Sequence, residues 1–345
     1  MNDAKKETAF YEKLEDNYVR CNICPRRCEI KEGGRGFCKV RENVGGTLFS
    51  LVYGRSVSTS VDSIEKKPLF HFAPGSRAYS ICTVGCNLKC DFCQNYRISR
   101  GWKEIKGKKE SPSEVIENAM SNKSDGIAYT YTEPTVFYEY ARDIMLESKD
   151  LYNVFVSNGY MSDKVINELS KNLDAINIDI KGNEKFYSEH CGINDIEPIF
   201  NSAKRFKENG VWVEITNLII PGENDTPEDF KRISRWIRDN LGQETPLHFS
   251  RFSPYLELRE KPPTDISTLE KAMEISNKVG MDYVYCGNVP GHQSESTYCP
   301  NCDKELITRR GFSITNLDLN RDMSCPQCGK KISIAGEKWI PDRFF

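Results

Sequence analysis

The chain has 345 residues, which is long enough for one large domain with smaller appendages. Its 48 basic and 50 acidic side chains leave a formal net charge of −2, so no overall basic field favours nucleic acid. No apolar run approaches the length of a membrane span, and the polar first residues lack the apolar core of a signal peptide. We therefore expect a cytoplasmic protein with neither a membrane anchor nor a nucleic-acid partner.

The 14 cysteines are the most unusual feature of the composition. Without an export signal, grouped cysteines in a reducing compartment indicate metal ligands rather than disulfides. Three groups are Cys21, Cys24, Cys28 and Cys38; Cys86, Cys90 and Cys93; and Cys299, Cys302, Cys325 and Cys328. Outside these groups stand Cys82, Cys191 and Cys286.

Residues 1–75 are predicted to form a cysteine-rich metal-binding segment. This segment has many glycines and looks too poor in apolar residues to fold without a metal. Its four cysteines, Cys21, Cys24, Cys28 and Cys38, suit either zinc or a second iron–sulfur cluster. Their spacing is not that of a standard zinc ribbon, and zinc or another structural metal is slightly favoured over a redox cluster.

Between residues 76 and 292, short β-rich runs alternate with helical stretches. The predicted strands are 78–83, 126–132, 153–157, 175–180, 211–219 and 247–252, with 283–286 as a further candidate. The predicted helices are 112–121, 136–146, 162–171, 196–208, 227–240 and 266–279. Such alternation predicts an α/β fold with a parallel sheet. Six units are too few for an eight-stranded barrel, so we expect a partial (β/α)6 TIM-like barrel, with its active site at the carboxyl ends of the strands.

Cys86, Cys90 and Cys93 follow the first predicted strand, in the run Gly85-Cys86-Asn87-Leu88-Lys89-Cys90-Asp91-Phe92-Cys93. Three thiolates can hold three irons of a [4Fe–4S] cluster and leave the fourth iron open for a small molecule. A zinc knuckle is the alternative interpretation of a bare spacing match.

This CxxxCxxC spacing resembles the signature of the radical S-adenosylmethionine (SAM) enzymes. The resemblance implies the (β/α)6 core and a [4Fe–4S] cluster whose open iron binds SAM. It also implies reductive cleavage of SAM to a 5′-deoxyadenosyl radical that abstracts hydrogen from a substrate. A one-electron donor such as flavodoxin or ferredoxin is then expected.

The resemblance also implies SAM contacts at later strand ends. Glu133, after the second strand, resembles the glutamate that meets the SAM amino group, although the two glycines of that family motif are absent. Asn158 looks like a ribose or carboxylate contact, and Asp179 and Lys181 resemble the Asp-x-Lys motif of glycyl-radical-enzyme activases. The alternatives are a helix N-cap neighbour for Glu133, a simple turn for Asn158, and an internal salt bridge for the Asp179–Lys181 pair.

Two further residues have two interpretations each. His248, in the sixth strand, matches the family's late-strand histidine near the adenosyl group, but a lone strand histidine is often a satisfied core residue. Cys286 ends the last predicted strand and is a candidate hydrogen donor or thiyl-radical residue. Buried structural cysteine is the more common case.

Residues 293–345 are predicted to form a zinc-ribbon-like tail. Cys299-Pro300-Asn301-Cys302 and Cys325-Pro326-Gln327-Cys328 are two CPxC knuckles of the kind that binds zinc. Acidic residues among the basic ones argue against a strong phosphate site there, so we expect a structural or partner-docking role.

The resemblance extends from about residue 20 to about residue 340. The run Cys21-Asn22-Ile23-Cys24-Pro25-Arg26-Arg27-Cys28, the segment 65–76 and the CPxC tail are similar to the radical SAM member of the AmmeMemoRadiSam system. That group lies among relatives of pyruvate formate-lyase activating enzyme. The resemblance implies association with Memo-like and AMMECR-like proteins and supplies no substrate. The alternatives are a glycyl-radical-enzyme activase and a non-catalytic metal-stapled binding protein.

Overall fold

The computed structural model describes residues 5–344. Within that range the central element is an eight-stranded sheet, in which seven strands run parallel and neighbour one another in chain order. The parallel strands are Arg77–Cys82, Gly126–Tyr129, Tyr152–Ser157, Ala175–Asp179, Trp212–Ile219, Leu247–Arg251 and Val284–Gly287. The predicted α/β class and the predicted strands, including the further candidate near 283–286, are confirmed.

Helices connect the successive parallel strands. They are Tyr96–Ser99, Pro112–Ser121, Tyr138–Glu147, Asp163–Leu169, Glu184–His190, Glu197–Glu208, Pro227–Leu241 and Ile266–Val279. Two of them begin at capping boxes, in which Ser111 pairs with Glu114 and Thr226 with Asp229. Within residues 5–344, none of the helices has both the length and the apolar character needed to cross a membrane.

The eighth strand, Ser58–Ser63, was not predicted. It pairs antiparallel with the first parallel strand and forms one edge of the sheet. Its sequence, STSVDS, is mostly polar and only partly buried. An edge strand needs no continuous apolar run, which explains why hydrophobic patterning did not reveal it.

The segment 64–73 packs against the inner face of the sheet. Small side chains at Ala78, Ala128 and Ala175 share a buried cluster with Phe72. Deeper along the same segment, the backbone N–H groups of Phe70 and His71 donate to the Glu214 carboxylate at 3.0 and 2.8 Å. The segment 64–73 therefore fills the inner face of the sheet around these residues.

The N-terminal segment consists of short antiparallel strands. They are Lys6–Glu7, Tyr11–Lys13, Val19–Cys21, Glu29–Ile30, Arg41–Val44, Thr47–Ser50 and Arg55–Ser56, the last of which pairs with Lys108–Lys109. Arg41 joins this segment to the helix Tyr138–Glu147 through a buried bidentate ion pair with Glu139.

The tail contains the antiparallel strands Thr297–Tyr298, Glu305–Arg310 and Ser313–Leu317. Trp339 packs against Tyr152, the first residue of the third parallel strand, at a ring-centroid distance of 5.3 Å. Ala335 exchanges backbone hydrogen bonds with His71 and Ala73. The tail thus lies at the amino ends of the strands, away from the loops that follow their carboxyl ends.

Candidate functional site

The loop with Cys86, Cys90 and Cys93 leaves the carboxyl end of the first parallel strand. Backbone hydrogen bonds hold it in place: Lys89 N–H donates to the Cys191 carbonyl at 2.9 Å and Asp91 N–H to the His190 carbonyl at 3.0 Å. The loop is thereby fixed to the end of the helix Glu184–His190. It lies at the edge of the sheet where the other strand-end segments converge.

The surroundings of the three sulfurs suit thiolate ligands. Leu88 N–H points at Cys86 Sγ at 3.4 Å, and Ser99 Oγ lies 3.3 Å from Cys93 Sγ. Burial raises the pKa of Cys86 and Cys93, and contact with the Cys191 thiol, followed by burial, raises that of Cys90. Thiols in such a site become thiolates when a metal displaces their protons. The donor set therefore fits a cluster held by three sulfurs.

Glu133 lies next to this loop and is buried. Its Oε1 accepts hydrogen bonds from Thr135 N–H at 3.0 Å and Ser157 Oγ–H at 2.8 Å, and its Oε2 accepts from Asn158 N–H at 2.8 Å. The carboxylate caps the 3-10 turn Pro134–Phe137, so Glu133 is itself the N-cap rather than the neighbour of one. It is also close enough to Cys86 to raise the pKa of that thiol.

Asn158 touches the loop directly. Its Nδ2 lies 3.8 Å from Cys86 Sγ and donates to Asn87 Oδ1 at 2.9 Å. In return, Asn87 Nδ2 donates to the Tyr160 carbonyl at 2.7 Å. These two hydrogen bonds of the Asn87 side chain hold the turn after the third strand against the cysteine loop, a role that its sequence position does not reveal.

Asp179 and Lys181 form the internal salt bridge that was the alternative for this pair. Lys181 Nζ lies 2.8 Å from Asp179 Oδ2, and Tyr187 O–H donates to the Asp179 carbonyl at 3.2 Å. Burial alone would lower the pKa of Lys181, but the charge of Asp179, and after it that of Cys90, raises it well above its usual value. A permanent cation therefore stands beside the cysteine loop.

His248 has a different environment. It is buried, its Nε2 lies 2.7 Å from Glu214 Oε2, and its ring stacks on Tyr285 at 5.2 Å. Glu214 in turn receives the backbone N–H groups of Phe70 and His71. These contacts with the segment 64–73 favour the core role over the adenosyl contact.

Cys286 lies on the other side of its strand from Tyr285. Tyr285 packs on Phe70 and His248, whereas Cys286 Sγ lies 3.0 Å from Met273 Sδ in the helix Ile266–Val279. Burial raises the pKa of Cys286 to about 11. A thiol packed against a helix on the outer face favours the structural interpretation.

Cys191 is a further residue of the site, and its position in the sequence does not indicate this. It is fully buried, and its thiol interacts with that of Cys90. Cys191 lies 101 residues after Cys90 in the chain and belongs to no CxxC-like group. Only the fold brings the two sulfurs together.

The two outer cysteine groups are each brought together. Cys21, Cys24, Cys28 and Cys38 line one small cavity. The tail sulfurs lie closer: Cys299 to Cys328 is 3.5 Å, Cys302 to Cys325 is 3.7 Å, and all four are within 4.8 Å of one another. The tail arrangement suits a single metal ion.

Gly85 is required by the packing of the cysteine loop on the N-terminal segment. Its φ is +112°, and a Cβ there would lie 2.8 Å from Val40 Cγ1. We expect Gly85→Ala to displace the loop and to lower the iron and sulfide content of the reconstituted protein. The backbone strain adds about 1–3 kcal/mol of destabilisation.

Gly210 supplies the matched control, because its φ is +83° but no atom lies within 4 Å of a Cβ built there. Gly210→Ala should show the backbone strain alone and keep full iron content. Equal iron content in the two alanine variants would contradict the importance of the Gly85–Val40 contact.

Comparison with known proteins identifies the family. The model of the radical SAM superfamily matches residues 80–237. An uncharacterized protein of Methanocaldococcus jannaschii is 48% identical over 334 residues, which cover 95% of this chain and 99% of that protein. A second protein of that organism, provisionally named a glycyl-radical enzyme activating enzyme, is 27% identical over 48% of this chain and 70% of its own length.

A solved domain of pyruvate-formate lyase-activating enzyme from Bacteroides vulgatus covers 48% of this chain and 100% of its own, with 16% identity and a TM-score of 0.42. The family match begins within the first parallel strand and includes Cys86, Cys90, Cys93 and the segments after the second, third and fourth strands. A radical SAM domain implies a [4Fe–4S] cluster and SAM as cofactors. Residues 80–237 of the chain form a domain of the radical SAM superfamily.

Proposed function

We propose that this protein is a radical SAM enzyme whose cluster is held by Cys86, Cys90 and Cys93. When bound, the cluster and SAM would supply a 5′-deoxyadenosyl radical for hydrogen abstraction from a substrate. The observation that supports this best is the convergence of Glu133, Asn158 and Lys181 on the three-cysteine loop. A zinc knuckle binds its ion through its four ligands alone and requires no such set of charged and polar groups around it.

Each strand-end residue has a proposed role. Glu133, held by several hydrogen bonds, offers a carboxylate for the SAM ammonium group. Lys181 offers a cation for the SAM carboxylate, and Asp179, the more exposed member of that pair, can reach the ribose. Asn158 positions the cysteine loop through Asn87, and we assign to it a ribose or carboxylate contact as well.

The roles of the other parts of the chain are also proposals. We infer a metal-binding segment at 1–75, a partial radical SAM barrel at 76–292 and a zinc-ribbon-like tail at 293–345 that holds zinc with Cys299, Cys302, Cys325 and Cys328. The six helical crossovers between the seven parallel strands support the partial-barrel interpretation. The sulfur separations in the tail support zinc.

The substrate is proposed to be one specific to an AmmeMemoRadiSam-type system, with Memo-like and AMMECR-like partners and a flavodoxin or ferredoxin as electron donor. The N-terminal segment packs beside the cysteine loop, where Val40 lies against Gly85 and Arg26 donates to the Asn87 carbonyl, and this added segment supports a dedicated substrate. The tail does not cover the cysteine loop, because it lies at the opposite ends of the strands.

A glycyl-radical-enzyme activase is the second candidate. It is supported by the relative provisionally named as such an enzyme. Incubation of the reduced protein and SAM with a glycyl-radical enzyme should then produce a glycyl radical, visible by electron paramagnetic resonance (EPR). SAM cleavage with no such radical would favour the first candidate.

The proposed class is tested by anaerobic reconstitution with iron and sulfide. The protein should turn brown and bind SAM with a change in the EPR spectrum of the reduced cluster. A colourless protein that binds only zinc would instead support the non-catalytic alternative.

Lys181→Met is expected to weaken SAM binding by about 10- to 100-fold, because a hydrogen bond to a charged group contributes about 1.5–3 kcal/mol. The matched control is Lys261→Met, which removes a lysine paired with Glu223 at 2.6 Å. Equilibrium binding to the iron-loaded variants measures both. If both variants bind SAM as the unmodified protein does, Lys181 has no contact with it.

A further inference from the structure

The N-terminal cysteines enclose a cavity that no other function of the protein explains. Cys21 ends the strand Val19–Cys21, Cys24 and Cys28 lie in the following turn, and Cys38 precedes the strand Arg41–Val44. The Cys21 N–H donates to the Cys28 carbonyl at 3.0 Å, so the backbone itself draws these residues together. All four side chains face the same small space.

The separation of the sulfurs distinguishes this cavity from the tail site. A zinc ion binds sulfur at about 2.3 Å, so the sulfurs of a tetrahedral zinc site lie about 3.8 Å apart. The tail sulfurs already approach this geometry. Among residues 5–344, neither the cysteines of the 86–93 loop nor any three of the N-terminal four bring their sulfurs within 4.8 Å of one another.

Wider spacing is what a cluster requires, because each thiolate then binds a different iron atom instead of sharing one ion. The N-terminal cysteines therefore resemble the loop that the superfamily uses for its cluster, and differ from the tail of the same chain. The tail serves as an internal reference for a single-ion site.

The walls of the cavity are suited to a buried, charged group. Ile23, Ile30 and Val136 exclude water, and Phe37 N–H points at Cys28 Sγ at 3.5 Å. The buried Arg41 also lines the cavity and brings positive charge close to the sulfurs. Apolar walls, N–H groups directed at sulfur and a nearby cation are the features that stabilise an iron–sulfur cluster in a protein.

The cavity adjoins the cysteine loop that contains Cys86, Cys90 and Cys93. Arg26 and Asn87 both line it, and Arg26 Nε donates to the Asn87 carbonyl at 2.5 Å. Arg26 also donates through Nη2 to the Gly192 carbonyl at 2.7 Å, next to Cys191. A group bound in the cavity would thus be connected to the cysteine loop by a single side chain.

We propose that Cys21, Cys24, Cys28 and Cys38 bind a second [4Fe–4S] cluster rather than zinc. Four thiolates occupy all four irons, so this cluster has no open position for SAM. It is a separate centre that stabilises the N-terminal segment and the loop beside it. This proposal reverses the slight preference for zinc or another structural metal at these cysteines.

The test uses the full chain with Cys86, Cys90 and Cys93 replaced together by alanine, so that only the N-terminal site can hold a cluster. After anaerobic reconstitution, iron, acid-labile sulfide and zinc are counted, and the dithionite-reduced protein is examined by EPR. We expect about four iron and about four sulfide per chain, a brown colour and the EPR signal of a reduced cluster. A colourless protein without iron, with zinc at two sites per chain or with an empty N-terminal site, would overturn the proposal.

The reciprocal variant, Cys24→Ala with Cys28→Ala, keeps all three cysteines of the cysteine loop. Its iron content should fall from about eight to about four per chain, and circular dichroism reports whether it has folded. If the triple variant binds no iron while the reciprocal variant keeps its cluster and its SAM binding, the second cluster is wrong and the proposed function stands. If the triple variant alone binds iron, the proposed function fails and the N-terminal cluster stands.

Discussion

Replacement of Cys86, Cys90 and Cys93 by alanine is expected to abolish reductive SAM cleavage, to the background measured without protein. In the proposed site the three sulfurs are the ligands that leave one iron open, and Glu133, Asn158 and Lys181 lie around them. Without the three cysteines no cluster is bound, so Glu133, Asn158 and Lys181 have no cluster-bound SAM to orient. The measurement is 5′-deoxyadenosine formed under dithionite, for the variant and the unmodified protein.

Two buried cysteines outside the loop serve as controls. Cys82→Ala removes a thiol within the first parallel strand, and Cys286→Ala removes one packed on Met273. Both variants should keep the iron and the SAM cleavage of the unmodified protein. If Cys286→Ala loses turnover of the true substrate while it still cleaves SAM, the structural role assigned to Cys286 is wrong. SAM cleavage that survives in the triple variant would refute the ligand assignment.

Arg41→Met is expected to destabilise the folded protein by about 3–5 kcal/mol, because it leaves the Glu139 carboxylate buried without a partner. The two side chains are 2% and 1% exposed, and the guanidinium contacts both carboxylate oxygens at 2.8 Å. Arg41 also donates to Thr8 Oγ1 at 2.8 Å. The measurement is urea denaturation of the metal-loaded protein under anaerobic conditions.

Two companion variants separate the charge from the packing. Arg41→Met combined with Glu139→Gln should recover part of the lost stability, since no unpaired charge remains. Arg20→Met breaks the surface pairs with Glu12 and Glu29 and should change the stability little, because water and salt screen exposed pairs. If Arg41→Met costs no more than Arg20→Met, the buried pair does not hold the N-terminal segment to the helix Tyr138–Glu147.

The strand-end residues could be predicted together because the carboxyl ends of parallel strands share one edge. That rule needs only the order of strands to bring the segments after them to the cysteine loop, whereas the choice of Glu133, Asn158 and Lys181 within those segments rests on the resemblance to radical SAM enzymes. The inner and outer faces could not be assigned in the same way. Both faces of a parallel strand are buried, so the alternation of apolar and polar residues that would separate Tyr285 from Cys286 is absent.

Other features depend on contacts between distant parts of the chain. The Cys90–Cys191 contact and the Asn87–Asn158 pair have no signature in the local sequence. The short helices Tyr96–Ser99 and Glu184–His190 are too brief to show a helical period. His248 illustrates the same limit: its partner Glu214 lies on the neighbouring strand, and the segment 64–73 that completes its environment is far away in sequence.

The cysteine spacing in the N-terminal segment could not decide between zinc and a cluster, because both accept four thiolates. The distances between sulfurs bear on that choice, because a single ion needs four sulfurs close together whereas a cluster binds each sulfur to a different iron. The tail differs because its two CPxC knuckles each bring two sulfurs close within a single turn.

The most direct test of the central claim is SAM cleavage by the unmodified protein. The chain is reconstituted anaerobically with iron and sulfide, reduced with dithionite and incubated with SAM, and 5′-deoxyadenosine and methionine are quantified together with SAM binding. We predict that SAM binds and that both products form in equal amounts. A fully iron-loaded, reduced protein that neither binds SAM nor forms 5′-deoxyadenosine would contradict the assignment of this site.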